Sequence, residues 1–473
     1  MKIAIIGGSA AGMFTSLILA RAGHEVLVFE RDHLKVAPDV ESAASQAFRS
    51  TAPQIVQPHI VMARCRQLLL EHLPDVYDGL LAAGVAEAPI STQMPPSLAD
   101  TSPLPGDERL TLLMTRRSTV DWVLRRAIVA EPRIEVRYGT TVIGLIAVPG
   151  QPPHVTGIRT KDSEFGADLV VDASGYRSPI DRWLQEIGAR PAAKSWAECG
   201  IAYFSRNYRF RPGAKPPGIP QTRIVAGLDE FNAGIWGADN GTMQMAVAPL
   251  AVDHRFKTLM NPNVFTAVLR TIPTYSAWLD ALEPISNVYT MGGLHNTLRR
   301  LVADGAPVVT GLHTVGDSVC TTNPTLGRGL SLALSDALDL RDTIEKFPDD
   351  RIAQTQAMDA LVGEHVAPFY KDQAIVDAER MAMLRHIIFN APRPDPPPAL
   401  AGRVTFAQLR AAAQFDPTAF RALWRLHGMI SLPEEIYTDP QIVETTRATL
   451  VHYGTGPSMA QPTREQLLAA LAN

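Results

Sequence analysis

The chain opens MKIAIIGGSAAGMFTSLILARAGHEVLVFERD, and no other stretch limits its fold so strongly. KIAIIG is a β-branched apolar run without alternation, the pattern of a strand buried on both faces. MFTSLILARAG then reads as about three turns of helix, ended by Gly23 in the usual glycine position. EVLVFE is a second strand that stops at Glu30, roughly twenty residues beyond the glycine turn. Strand, glycine turn, helix, strand and terminal acid are the context that a dinucleotide-binding fingerprint needs.

The turn itself, GGSAAG at residues 7–12, departs from G-x-G-x-x-G by carrying Ser9 in place of the second glycine. Gly7 permits the tight turn, and Gly12 lets the helix pack close to the strand. The helix N-terminus at Ser9, Ala10 and Ala11 offers free N–H groups and a partial positive charge to a pyrophosphate. The small Ser9 hydroxyl is itself able to donate to phosphate. Glu30, followed by Arg31, would accept hydrogen bonds from the ribose hydroxyls of an adenosine. The alternative is a purely structural βαβ turn, and this unit alone does not separate NAD from FAD.

Residues 307–340, PVVTGLHTVGDSVCTTNPTLGRGLSLALSDALDL, carry a second pattern. An apolar strand enters Gly316-Asp317, with Asp317 at a strand end where it would bind a polyol hydroxyl. A loop follows with Pro324, Gly327, Arg328 and Gly329, and then a helix. Such a loop lets backbone approach a flat ring. A positive helix end beside the pyrimidine of a reduced flavin would stabilise its N1–C2=O anion.

On these residues the sequence resembles the FAD-dependent monooxygenases of the para-hydroxybenzoate hydroxylase fold. Those enzymes carry an N-terminal fingerprint, then a central D-G or related motif, then G-D-x-x-x-x-x-x-P-x-x-G-x-G. All are present here in order over roughly residues 1–340. Within that family it looks most like the squalene and bacterial polyether epoxidases. The segment from Ala52 resembles their PQ-x-x-H-x-H stretch, here with Gln54, Gln57 and His59 and without the second histidine. Gln54 and His59 are the near-flavin candidates, with structural placement as the other reading. RRSTVDWVLRRA resembles the family's next helix, whose leading arginine, here Arg117, reaches the FAD pyrophosphate region.

Departures narrow the resemblance. The central motif is usually A-D-G-x-x-S, whereas this sequence reads DLVVDASGYRS. Ser174 occupies the aspartate position, Gly175 and Ser178 remain, and Asp172 lies two residues earlier. This D-x-S-G form resembles polyether epoxidases and flavin-dependent halogenases, and it argues against direct, substrate-gated reduction by a bound nicotinamide. No second nucleotide fingerprint occurs. The resemblance thus leaves either NAD(P)H, visiting transiently, or a separate flavin reductase as electron source. The histidine often found after G-D is replaced by Cys320, which reads as a small buried hydrophobe.

The resemblance implies an α/β fold: a Rossmann-type, glutathione-reductase-like FAD-binding domain, an inserted β-sheet substrate domain and a C-terminal helical region. The expected divisions are residues 1–194 and 301–345 for the FAD-binding domain, 195–300 for the β-rich unit and 346–473 for the helices. RIEVRY, TVIGLIAV, HVTGIRT and ADLVVDAS read as strands of the first part. GIAYFSRNYRF and TMQMAVAP read as strands of the insert, with P-P-G and D-N-G as turns. In TMQMAVAP, Met243, Met245 and Val247 share one face and read as core. Tyr203, Arg206 and Trp236 are candidate pocket residues, with ordinary packing as the alternative. NAPRPDPPPAL is a proline-rich break, and Thr463 with Gln466 forms a capping box before LLAALAN.

Composition excludes several function classes. A formal net charge of -4 does not suit a nucleic-acid partner. No run of about 18 apolar residues predicts a membrane span. Three isolated cysteines, Cys65, Cys199 and Cys320, make no disulfide framework and fit a reducing cytosol. No metal is expected, because the twelve histidines are scattered and neither H-E-x-x-H nor G-x-S-x-G occurs. The expectation is therefore a cytoplasmic FAD enzyme with O2 as co-substrate. It would epoxidise or hydroxylate a largely apolar small molecule through a flavin C4a-hydroperoxide. The alternatives are a flavin-dependent halogenase, although its W-x-W-x-I-P segment is missing and GIWGADNG offers only Trp236, a reductase of isoprenoid-type double bonds, or a non-catalytic flavoprotein.

Overall fold

The computed structural model describes residues 1–98, 100–217, 223–395, 401–455 and 460–473. Gly218 of the P-P-G turn and residues 396–400 of the proline-rich break lie outside the described residues. Among the described residues the central sheet has five parallel strands, in the order Leu312–Thr314, Leu169–Asp172, Lys2–Ile6, Glu25–Glu30 and Ile134–Tyr138. Ile6 lies level with Asp172 and Phe29, and Asp172 with Thr314. The turns after these strands therefore emerge side by side. That register sets the fingerprint, the D-A-S-G turn and the G-D turn beside one another, at the sheet edge where doubly wound folds bind ligands.

The opening helix, Ala10–Arg21, is buried almost all round. Its Met13, Phe14 and Leu17 are fully enclosed with Val120 and Leu124 of the helix Arg117–Ala130 and with Leu334 and Ala337 of the helix Gly329–Lys346. A helix apolar on every side belongs between layers and not at a surface. The other face of the sheet is closed by an antiparallel meander, Val142–Val148, His154–Thr160 and Glu164–Gly166, and by the buried Trp183.

The inserted unit is an antiparallel sheet built on the neighbouring strands Arg223–Gly227, Phe231–Gly237, Thr242–Pro249 and Tyr203–Phe210. Met243, Met245 and Val247 enter its core, while Ala246 and Ala248, on the opposite face, line a cavity. The insert also contains two helices, Pro262–Arg270 and Pro273–Ala281, which pack behind the sheet together with the final helix Arg464–Leu471. Asp239, fully buried in the D-N-G turn, ties this sheet to the first domain. It accepts from the backbone N–H of Arg116 at 2.7 Å, from the Arg116 guanidinium at 2.6 Å and from Thr119 Oγ1 at 2.8 Å.

The C-terminal helices are not an appendage. The helix Arg351–Leu361 passes through a π-helical turn, Val362–Val366, into the long helix Ala367–Phe389. Pro368, at the start of that long helix, lacks an N–H and crowds the carbonyl four residues back, which explains the wider turn. The helices Phe406–Ala412 and Pro417–His427 then pack against Met62, Ile90, Leu112 and Met114 of the first domain. Thr463 and Gln466 form the reciprocal capping box.

Candidate functional site

The site is built first from backbone. Gly7 has φ +107°, and a Cβ there would lie 2.6 Å from the Ala173 carbonyl oxygen; a Cβ on Gly12 would lie 1.9 Å from the Gly7 oxygen. The fingerprint turn is thus clamped against the D-A-S-G turn with no room for a side chain. Glu30 is 3% exposed. Its Oε2 accepts from Gly8 N at 3.0 Å and pairs with Arg49 at 3.0 Å, and its Oε1 accepts from Asp32 N at 2.9 Å. Arg117 Nη2 stands 3.3 Å from Ser9 Oγ while its Nε donates to Asp121 at 3.0 Å.

The D-A-S-G turn has a local explanation. The fully buried Asp172 carboxylate accepts from Ser174 N and from the hydroxyls of Ser174 and Ser178. Ser174 is thereby committed to the turn. Gly175 N donates to Ser318 Oγ at 2.9 Å, joining this turn to Gly316-Asp317-Ser318. Behind it, Gly316 N donates to Asp336 Oδ2 at 2.8 Å, and burial pushes the Asp336 carboxyl up to about 8.

These turns open into a cavity of about 1750 Å³. It runs from the fingerprint past the 324–329 loop and beneath the antiparallel sheet to the C-terminal helices. Gly7, Ser9, Ala10, Ala11, Glu30, Arg31, Arg117, Ser174, Gly175, Asp317, Pro324, Gly327 and Gly329 all line it, as do Gln54 and His59. Gly12 and Gly316 do not. They are packing glycines, since a Cβ on Gly316 would meet that of Ala11 at 2.6 Å. Arg328 reaches the wall, but its guanidinium turns away to Asp372 and donates to the Phe369 carbonyl at 2.8 Å. A charge so fully buried needs that carboxylate, so Arg328 anchors the C-terminal helix to the loop and is not a charge offered to a ligand.

The loop is held from the same direction. Asp377, fully buried on the long helix, accepts from Asn323 at 3.1 Å, Asn296 at 2.8 Å and Arg380 at 2.7 Å. Tyr203 donates its hydroxyl to Asn323, and burial raises its phenol. Tyr203 and Trp236 line the cavity; Arg206 does not, its Nε donating to the Ser286 carbonyl at 2.9 Å. Cys320 is buried among Leu298, Leu332 and Phe369.

His59 sits on the wall with its Nδ1 2.9 Å from the Gln57 carbonyl, so that nitrogen carries the proton and Nε2 the lone pair. Desolvation, and then Arg117, hold its pKa down to about 4, so it is neutral near pH 7. Gln57 accepts from Ser205 Oγ at 2.7 Å, leaving its buried Nε2 without a partner among the described residues; Arg49 Nη1 is in the same condition. Both residues line the cavity, and the sequence pattern had singled out neither as a site residue. Arg223, Arg410, Trp424 and His427 also line the cavity, and no motif marks them. Among the described residues no His, Cys, Asp and Glu cluster could hold a metal, and no helix is long and apolar enough to cross a membrane.

No family model matches the chain. The Mycobacterium tuberculosis protein Rv3254 is 26% identical over 479 residues, covering 94% of this chain and 92% of that one. Among solved structures, PqsL of Pseudomonas aeruginosa, described as a probable FAD-dependent monooxygenase, superposes with a TM-score of 0.59 at 15% identity, over 82% of this chain and 96% of PqsL. The flavin-dependent brominase Bmp2 gives 0.63 at 16% identity, over 96% of this chain and 99% of its own. The fold is therefore that of the FAD-dependent monooxygenases and flavin halogenases, with a sheet-rich second domain and a helical C-terminus.

Proposed function

We propose that the cavity holds FAD and that the protein is an FAD-dependent monooxygenase acting on a largely apolar small molecule. The observation that carries this reading is one continuous cavity joining the βαβ turn, the D-A-S-G turn and the 324–329 loop. At about 1750 Å³ it exceeds the roughly 300–1,000 Å³ of a site for one small ligand, leaving space for a dinucleotide and a substrate together.

The residues present fit that group. Glu30 stands at the strand end for the adenosine ribose, and the backbone of Gly8–Ala11 with Arg117 would take the pyrophosphate. Asp317 would meet the ribityl group. Gln57 Nε2 and Arg49 Nη1 are unpartnered donors at the wall, and a Cβ on Gly329 would meet nothing within 4 Å, consistent with a flat ring lying against that loop. Bound here, FAD would supply two-electron redox chemistry and activate O2 for transfer of one oxygen atom to an alkene or aromatic carbon. The protein's own part is position and environment. The N-terminus of the helix Gly329–Lys346 would offer partial positive charge to a flavin ring held against the 324–329 loop. Neutral His59 accepts or relays a proton at Nε2 without adding a cation. The antiparallel sheet and the C-terminal helices, which line the cavity, would cover the reacting face.

Ser174, tied to Asp172, leaves the turn without the free carboxylate of the aromatic hydroxylases, which favours reducing equivalents from a flavin reductase or from transient NAD(P)H. The purified protein should be yellow, release FAD on denaturation and consume O2 when its flavin is reduced. A colourless protein indifferent to flavin overturns the proposal. A second reading, flavin-dependent halogenation, draws support from the likeness to Bmp2, which extends over 96% of this chain against 82% for PqsL. Product that forms only with added halide would favour it.

A further inference from the structure

One part of the cavity wall carries two arginines with no carboxylate paired to either among the described residues. Arg223, on the strand Arg223–Gly227, places its guanidinium 5.3 Å from the Trp424 ring centroid. Arg410, on the helix Phe406–Ala412, lies against Gly227, where a Cβ would come within 2.8 Å of its Nη2. Neither arginine makes an ion pair or side-chain hydrogen bond among the described residues, and Arg223 Nε is buried without a partner. Elsewhere the fold treats such groups differently: Arg49, Arg116, Arg117, Arg299 and Arg328 each meet a carboxylate. Asp229, Glu379 and Asp395 share the cavity wall, yet none pairs with Arg223 or Arg410. The residues not described contain no Asp or Glu, so they hold no missing counter-ion.

Two arginines lining one cavity repel each other. Desolvation, and then Arg410, push Arg223 down to about 10, which leaves it cationic at neutral pH. His427 beside them is held neutral by burial, its Nε2 unpartnered and its ring perpendicular to Trp424 at 5.8 Å. Arg223 Nε, buried without a partner among the described residues, is a charged donor that a bound anion would complete. The planar guanidinium fork suits a carboxylate, which two such groups would hold from two sides. Trp424, Leu423 and Phe420 supply an apolar wall next to the charge.

We infer that the substrate is an organic acid, its carboxylate held between Arg223 and Arg410 and its apolar body lying along Trp424 towards the flavin end of the same cavity. This rests on the proposed function for the direction of the molecule, and it changes a largely apolar substrate into an amphipathic one. The orientation puts the apolar carbon skeleton under the sheet roof, where oxygen would be delivered.

The test is calorimetric titration of the full-length, as-purified protein with 2-naphthoate and with uncharged 2-naphthamide, its flavin content being read from visible absorption. The carboxylate should bind at least tenfold more tightly than the amide. Arg410→Gln and Arg223→Gln should each reduce that preference to threefold or less and leave amide affinity within twofold. Both variants should melt no lower than the parent, because each removes an unpartnered charge; an arginine with a merely structural role would lower the melting temperature. Should Arg223→Gln fail to fold, Arg410→Gln on a separate element decides alone. A carboxylate that binds no better than the amide, or a preference that survives in the variants, overturns the inference. A yellow protein without the preference refutes this inference only, whereas a colourless protein refutes the flavin reading.

Discussion

Gly12→Ala probes the nucleotide turn at its tightest point. The added Cβ would sit 1.9 Å from the Gly7 carbonyl oxygen, whereas nonbonded carbon contacts settle near about 3.5 Å. Relief requires the opening helix to retreat by about 1.5 Å, since the obstructing atom is backbone and has no rotamer to change. The helix has nowhere to go, because Met13, Phe14 and Leu17 behind it are fully buried against two other helices. Overpacking of this kind costs about 3 kcal/mol, the upper end of the usual range, which corresponds to a melting temperature lower by roughly 6–12 °C. The same movement takes the first N–H groups of the helix away from a bound pyrophosphate. Losing two charge-assisted hydrogen bonds of about 1.5 kcal/mol each weakens FAD binding at least about 100-fold. Gly23→Ala, at the other end of the same helix, is the control. Its φ of +95° imposes strain of about 1–2 kcal/mol, but its Cβ would meet nothing within 4 Å. It should lower stability and leave FAD affinity within about threefold, as expected for strain remote from a phosphate cradle. Thermal melts with fluorescence titration of FAD read both quantities. Gly12→Ala protein that binds FAD as the parent does would refute the reasoning.

Glu30→Ala should weaken FAD about tenfold and FMN little, because only the dinucleotide carries the adenosine ribose; competition titration separates the two. Asp239→Ala strands the buried Arg116 guanidinium with Glu41 as its remaining partner and should cost about 3–5 kcal/mol in urea unfolding, while Asp239→Asn should cost less. Asp336, raised to about 8 by burial, contributes stability that is fully present below its ordinary value of 3.8 and is lost as pH climbs towards 8. Asp336→Asn can still accept from Gly316 N and should flatten urea midpoints between pH 5 and 8. His313, fully enclosed and held down to about 4 by desolvation and then Arg351, acts in the opposite sense. Its contribution is present above pH 6.5 and is lost as pH falls towards 4, so His313→Asn should soften the acid limb of the same curve.

The site's backbone was legible because glycine and strand patterns are local. Gly7, the Glu30 strand end and the Gly327 loop each announce a turn whose geometry few other residues permit. The faces of TMQMAVAP and the Thr463 capping box were readable for the same reason. The orientation of individual side chains was not. Arg328 stands in the cofactor loop by sequence, yet its charge is settled by Asp372, forty-four residues further on. The helices Pro262–Arg270 and Pro273–Ala281 begin with proline, and Asn261 caps the first, but the neighbouring strand patterns dominated that region. An amphipathic segment such as FRALWRLHGMI says that one face is buried and not what it faces. Arg223 and Arg410 lie 187 residues apart in the sequence with no motif at either, and only the packing of a C-terminal helix over the inserted sheet brings them to one wall.

Equilibrium titration of the flavin-stripped protein with FAD, FMN and riboflavin tests whether the cavity holds a flavin dinucleotide. With the adenosine end at GGSAAG and Glu30 and the ring against residues 324–329, FAD should bind at one per polypeptide and at least about 100-fold more tightly than FMN or riboflavin. Equal affinity for FAD and FMN, or no saturable flavin binding, would contradict it.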